Sequence, residues 1–149
     1  MTAIETDEAQ EGISPDLHML LRLLGTAHSV TELLDAALRD IGVSAASFRL
    51  LTELVHAPEP LEPHELRAAA IGPGEDVEPL LETLERDGLV RRTAAATVDG
   101  RRMRIVITAR GRARQHSAAG QIDTVGVQLW EALAGVDAAA VGRALSALR

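Results

Sequence analysis

Two short alternating segments interrupt a chain whose other apolar residues are spaced for helices, and that interruption restricts the folds open to it. Leu89 to Thr93 and Arg102 to Thr108 alternate apolar and polar side chains, with β-branched residues at Val90, Ile105, Val106 and Ile107. The residues between them include the turn pair Asp99-Gly100, so the spacing predicts a β-hairpin with a long tip over 94–101. Upstream, Ser14-Pro15-Asp16 offers an N-cap and a proline at the first helical position. Leu17, Leu20, Leu21, Leu24, Ala27, Leu34, Leu38 and Ile41 then recur at three- and four-residue steps, predicting a long helix bent near Gly25 and ended by Gly42. Ser44 caps a second helix carrying Phe48, Leu51, Leu54 and Val55, which stops before Ala57-Pro58-Glu59-Pro60. After the extended link at Leu61, a short helix is expected from Pro63 to about Ala70, with Leu66, Ala69 and Ala70 facing inward. Gly72-Pro73-Gly74 reads as a turn. A fourth helix, from about Glu75 to Asp87, should bury Val77, Leu80, Leu81 and Leu84 and end at a left-handed Gly88. Beyond Thr108 a long Ala-rich helix runs through Gln121, Ile122, Val125, Leu129 and Leu133, and a last one from Asp137 to Leu148 should bury Val141, Leu145 and Leu148.

Helix, short helix, turn, helix and two-stranded hairpin, in that order, make a winged helix-turn-helix. The helix after the turn can enter the major groove of DNA while the hairpin tip reaches the backbone or the minor groove. The fold class is therefore mainly α with a small β-hairpin wing. The expected division is a disordered acidic tail over 1–14, helical dimerisation segments over 15–42 and 109–149, and the winged helix-turn-helix over 43–108. Long terminal helices with apolar stripes would be left uncovered in a monomer, which implies a homodimer.

Composition narrows the chemistry. With one Phe, one Trp and no Tyr, the core must be built from Leu, Ala and Val, a mixture that favours helices. The absence of cysteine excludes disulfides, zinc-thiolate sites and thiol redox switches. No apolar run approaches the ~20 residues of a membrane span, and no basic-then-apolar leader pattern opens the chain, so a cytoplasmic location is expected. The five histidines lack the pair spacing of a zinc site, and there is no nucleophile elbow or glycine-rich phosphate loop. Neither an enzyme nor a metal or other cofactor is expected.

Charge is segregated along the chain. The formal net charge is -7, yet nine arginines lie between Arg86 and Arg114 against only Asp87 and Asp99. From Glu53 to Glu85 the balance reverses, with nine acids against Arg67. A basic hairpin thus follows an acidic helix-turn-helix, which is the reverse of an evenly solvated surface.

Leu84-Glu85-Arg86-Asp87-Gly88-Leu89-Val90-Arg91-Arg92, then Asp99-Gly100-Arg101-Arg102, then Val106-Ile107-Thr108-Ala109-Arg110-Gly111 resemble the signature of MarR-type transcriptional regulators. The resemblance implies a homodimer with interleaved terminal helices that binds a pseudo-palindromic operator in double-stranded DNA. It implies a repressor that releases DNA when a small anionic or phenolic ligand binds between the domains. It also implies that Asp99 orients Arg101, whose guanidinium enters the minor groove, where a narrow groove concentrates negative potential. Arg91, Arg92 and Arg102 would add phosphate contacts. His18, Arg49 and His56 are the candidates to approach the implied ligand pocket as cations.

One stretch departs from the family pattern. Where the recognition helix of such regulators presents small polar and basic residues, this chain has Glu75, Asp76, Glu78 and Pro79. A carboxylate can accept from cytosine N4, but several together face phosphates and base edges that are mostly acceptors. The expected function is a dimeric, ligand-responsive DNA-binding repressor. The alternative is a winged-helix protein-interaction module whose acidic helix binds a basic partner and whose sequence-specific DNA binding is weakened or lost.

Overall fold

The computed structural model describes residues 14–71, 76–132 and 137–147, apart from several side chains near the C-terminus. Its elements are α1 (Pro15–Leu38), α2 (Ala45–His56), α3 (Pro63–Leu66), α4 (Glu78–Arg86), β1 (Val90–Thr97), β2 (Gly100–Ile107), α5 (Ala109–Ala132) and α6 (Ala138–Ser146). The expected acidic tail, the Gly72-Pro73-Gly74 turn and the packing of Val141, Leu145 and Leu148 lie outside the described residues or side chains. No described helix is long and apolar enough to cross a membrane.

The chain divides into two compact units between Leu33 and Leu34, within α1. In the first unit, Ser14 Oγ accepts from Leu17 N at 3.2 Å and starts the helix, as its sequence position predicts. Leu17, Met19, Leu20, Leu21, Leu23, Leu24, Val30 and Leu33 are all exposed.

In the second unit α1 ends in a tight 3-10 turn over Arg39–Ile41, and Gly42 adopts φ 72°. Ser44 then accepts from Ser47 N, while Asp35 Oδ1 accepts from Ala45 N at 2.6 Å, so the first turn of α2 is capped twice. The core is one cluster in which Leu50, Leu51 and Leu54 of α2 meet Leu66, Leu81, Leu84 and Ile105, with Val90 and Ile107 beneath them. Helix α3 is shorter than expected and passes into a wider π-helical turn over Arg67–Ile71. That turn buries Ala70 and leaves Ala69 exposed, contrary to the 3.6-residue reading, because widening the turn rotates the following side chains.

The hairpin also differs from its sequence reading. β1 and β2 pair over eight residues each, from Val90↔Ile107 to Thr97↔Gly100, so only Val98 and Asp99 form the tip. Three successive alanines, Ala94 to Ala96, look like loop by strand propensity, but in the ladder their backbone groups are paired. Gly100 takes φ 123°, a conformation that L side chains rarely adopt, and Thr97 Oγ1 donates to its carbonyl at 2.6 Å. At the base of the hairpin, Ile105 N donates to Leu61 O at 2.7 Å, an isolated bridge that pairs Leu61 with the outer edge of β2.

The junction from β2 to α5 explains two residues of the signature. Thr108 Oγ1 donates to Gly88 O at 2.7 Å and accepts from Gly111 N at 3.0 Å, joining the end of α4 to the first turn of α5. A Cβ at Gly111 would stand 2.0 Å from Leu89 O and 2.8 Å from an Ile107 side-chain carbon. Further along α5, Arg114 Nη1 donates to Ile41 O at 2.8 Å and Gln115 Nε2 to Thr52 Oγ1 at 3.3 Å.

Gly111→Ala is therefore expected to destabilise the protein by about 1–3 kcal/mol, since backbone at both ends of the contact must shift. Gly120→Ala, in the same helix with open space around its Cβ position, should stabilise by about 0.5–1 kcal/mol. Urea denaturation of both variants checks the contrast.

Candidate nucleic-acid interface

Strand alternation sorts the arginines of the wing onto two faces. Val90, Arg92, Ala94 and Ala96 pair with Ile107, Ile105, Met103 and Arg101, and these residues share the face that carries the core at its base. Arg91, Thr93 and Ala95 pair with Val106, Arg104 and Arg102 on the opposite face. Arg101 thus stands near the tip on the same side as Arg92 near the base, four rungs away.

Arg92 does not point to solvent. Its Nη2 donates to Glu78 Oε2 at 2.7 Å and its Nε to Glu85 Oε2 at 3.2 Å, and its side chain is 24% exposed. Glu78 and Glu85 are seven residues apart on α4 and so share one helix face, which is turned toward β1. The hydrogen bond to Glu78 outweighs the opposing effect of partial burial, and the pKa of Arg92 is raised above its ordinary value. An arginine expected among phosphate contacts is thus bound to two carboxylates of α4.

The opposite face holds a second acidic contact. Arg102 Nη1 lies 3.2 Å from Glu62 Oε1, and its Nη2 lies 3.8 Å from Asp99 Oδ2. The resemblance implied that Asp99 orients Arg101, but here Asp99 approaches Arg102. Consecutive side chains of β2 leave on opposite faces, and Asp99 and Glu62 both draw the guanidinium on Glu62's side. Among the described residues neither Arg91 nor Arg101 makes an ion pair or a side-chain hydrogen bond, and both are exposed.

Helix α4 begins at Glu78 rather than near Glu75, with Pro79 in its first turn. Glu75 lies outside the described residues. Asp76 Oδ1 accepts from Glu78 N at 3.0 Å, so this carboxylate is occupied in starting the helix. With Val77, Leu81 and Leu84 buried and Glu78 and Glu85 turned to Arg92, the row left facing outward is Pro79, Glu82, Thr83 and Arg86. Thr83 Oγ1 donates to Pro79 O at 3.0 Å and receives Arg86 Nη2 at 3.5 Å. Sequence reasoning passed over Thr83 and Arg86 as site residues. Their signal was available as the complement of the buried stripe, at three- and four-residue steps. A carboxylate at 82 can accept from cytosine N4, and a guanidinium at 86 can donate to guanine O6 and N7.

The candidate ligand residues are divided between the two units. His18 is exposed on the part of α1 in the first unit. Arg49 and His56 are exposed on α2, and His56 Nδ1 bonds to Thr52 O at 2.8 Å. His56 lines an open cleft of about 380 Å³ with Glu53, Glu65, Pro58 and Leu61, to which Arg49 does not contribute. Two carboxylates beside His56 make this cleft a poor match for an anion.

No family model matches the chain, and no curated protein matches it either. Solved structures do. A MarR-family transcriptional regulator from Rhodococcus sp. RHA1 superposes with a TM-score of 0.71 at 22% identity, covering 93% of each chain. The Mycobacterium tuberculosis transcriptional regulator MosR matches with a TM-score of 0.71 at 28% identity over 87% of this chain and 90% of its own. The organohalide-sensing regulator RdhR, bound to 2,4-dichlorophenol, matches with a TM-score of 0.78 at 18% identity over 100% of this chain and 88% of its own. The chain has the winged-helix fold of MarR-type transcriptional regulators.

The wing and α4 are expected to be coupled through Arg92. A double-mutant cycle on Arg92→Ala and Glu78→Gln, followed by thermal or urea unfolding, should return about 0.2–1 kcal/mol of coupling, shrinking in high salt because both groups are partly solvated.

Proposed function

We propose that this protein is a homodimeric, DNA-binding transcriptional regulator of the MarR type, acting as a ligand-responsive repressor. The observation that carries the proposal is the exposed, ion-pair-free guanidinium of Arg101 near a narrow wing tip, among the described residues, together with the outward row Glu82, Thr83 and Arg86 on α4. In this reading Arg101 enters the minor groove and Arg91 contacts phosphate, while the α4 row meets base edges in the major groove. Arg102 reaches the backbone only by exchanging Glu62 and Asp99 for phosphate. Regulation by a small molecule is supported by analogy with RdhR, which was solved with a chlorinated phenol bound.

Dimerisation rests on the first unit. Leu17, Leu20, Leu21 and Leu24 form one row at helical spacing, with Leu20 61% and Leu24 68% exposed. Met19, Leu23 and Val30 are exposed as well. A helix this apolar on several sides is stable in water only when covered, and a second copy of the chain is the covering the fold supports. The protein-interaction alternative drew on the acids of α4, and its support is reduced because Glu78 and Glu85 already have a cationic partner within the chain.

Selection of bound fragments from random DNA at physiological salt should return a pseudo-palindromic sequence. Failure to enrich any sequence would count against the DNA-binding reading. On the selected site, Arg101→Ala should weaken binding and flatten the plot of log affinity against log salt if its contact releases a counterion, by roughly 0.9 per phosphate neutralised. Full affinity in that variant would exclude the wing contact. Light scattering should give a dimer mass for the native protein, and Leu20→Glu with Leu24→Glu should lower it toward a monomer.

A further inference from the structure

Wing arginines in a DNA-binding hairpin are ordinarily assigned to phosphates, yet the geometry around Arg92 fits a different task. Its Nε and Nη2 each hold a carboxylate, at 3.2 Å and 2.7 Å, so reaching a phosphate requires both bonds to break. It pairs with Ile105, near the base of the hairpin, whereas Arg101 pairs with Ala96 near the tip. Glu78 and Glu85 are 44% and 43% exposed, which leaves them able to act on a polyanion brought against α4. Arg92 also ties β1, and with it the wing, to α4.

We propose that Arg92 is a positioning residue that makes an acidic recognition helix compatible with DNA, rather than a DNA contact itself. The inference rests on the DNA-binding reading above. Arg92 draws Glu78 and Glu85 to the wing side of α4 and offsets one of their two charges. It thereby leaves Glu82, Thr83 and Arg86 as the row that meets the bases. Losing Arg92 exposes two uncompensated carboxylates beside phosphates, where like charges brought together weaken binding. Removing those carboxylates should then restore binding without a cation at position 92.

The test measures DNA affinity over a series of salt concentrations for the native protein, for Arg92→Ala, and for the triple variant Arg92→Ala, Glu78→Gln, Glu85→Gln, each checked for folding by circular dichroism. At fixed salt, Arg92→Ala should lose roughly tenfold or more in affinity. The triple variant, which has no uncompensated acid at these positions, should recover to within about threefold of the native protein and keep its salt slope. A triple variant that stays weak, with a slope shallower by about 0.9, identifies Arg92 as a phosphate contact and overturns the inference. Unchanged affinity in Arg92→Ala overturns it as well. If the native protein binds no DNA at low salt, the DNA-binding reading itself fails and the inference falls with it, an outcome distinct from failure of the triple variant alone.

Discussion

The approach of the first turn of α5 to the carbonyl of Leu89 fixes the base of the wing, and only a residue without a Cβ permits it. Thr108 closes the same junction with hydrogen bonds to Gly88 O and Gly111 N. These contacts bring the end of α4, the root of both strands and the start of α5 to one point. Val90, Ile105 and Ile107 are thereby set into the leucine core. The wing then projects as an eight-residue ladder whose tip is held by its own hydrogen bonds and a glycine turn. Its direction relative to α4 follows from that root, so the junction governs the spacing of the two elements that would meet DNA.

Above the apolar root, the two charge blocks of the chain meet. Arg92 joins Glu78 and Glu85, and Arg102 joins Glu62. Individually such partly solvated pairs add little stability. Their larger consequence is directional, because they decide which arginines and which acids are engaged internally and which remain outward. The outward set is smaller and more balanced than the sequence suggests: Arg91 and Arg101 on the wing, and Glu82, Thr83 and Arg86 on α4. Of the acids that argued against DNA binding, Glu78 is compensated by Arg92 and Asp76 is occupied in starting α4.

Much of the fold was legible before any coordinates. The stop at Gly42, the Ser44 cap, the buried row Val77, Leu81 and Leu84 and the left-handed Gly88 depend on local sterics and helical periodicity, which a sequence displays directly. The errors occurred where local preference gave way to pairing. Ala94 to Ala96 have little strand propensity but extend the ladder because the partner strand satisfies their backbone. The π-helical turn after α3 shifted Ala69 outward, and no local signal announced it.

The sequence by itself determined the order of elements, the apolar root of the wing and the concentration of arginine that follows it, since these depend on side-chain type and spacing along one chain. Only the tertiary structure decided which of those arginines are available. Arg91 and Arg92 are adjacent in sequence and identical in chemistry. Strand alternation sends one to solvent and the other to the carboxylates of α4, and charge compensation between distant residues depends on distances that close only when the chain folds.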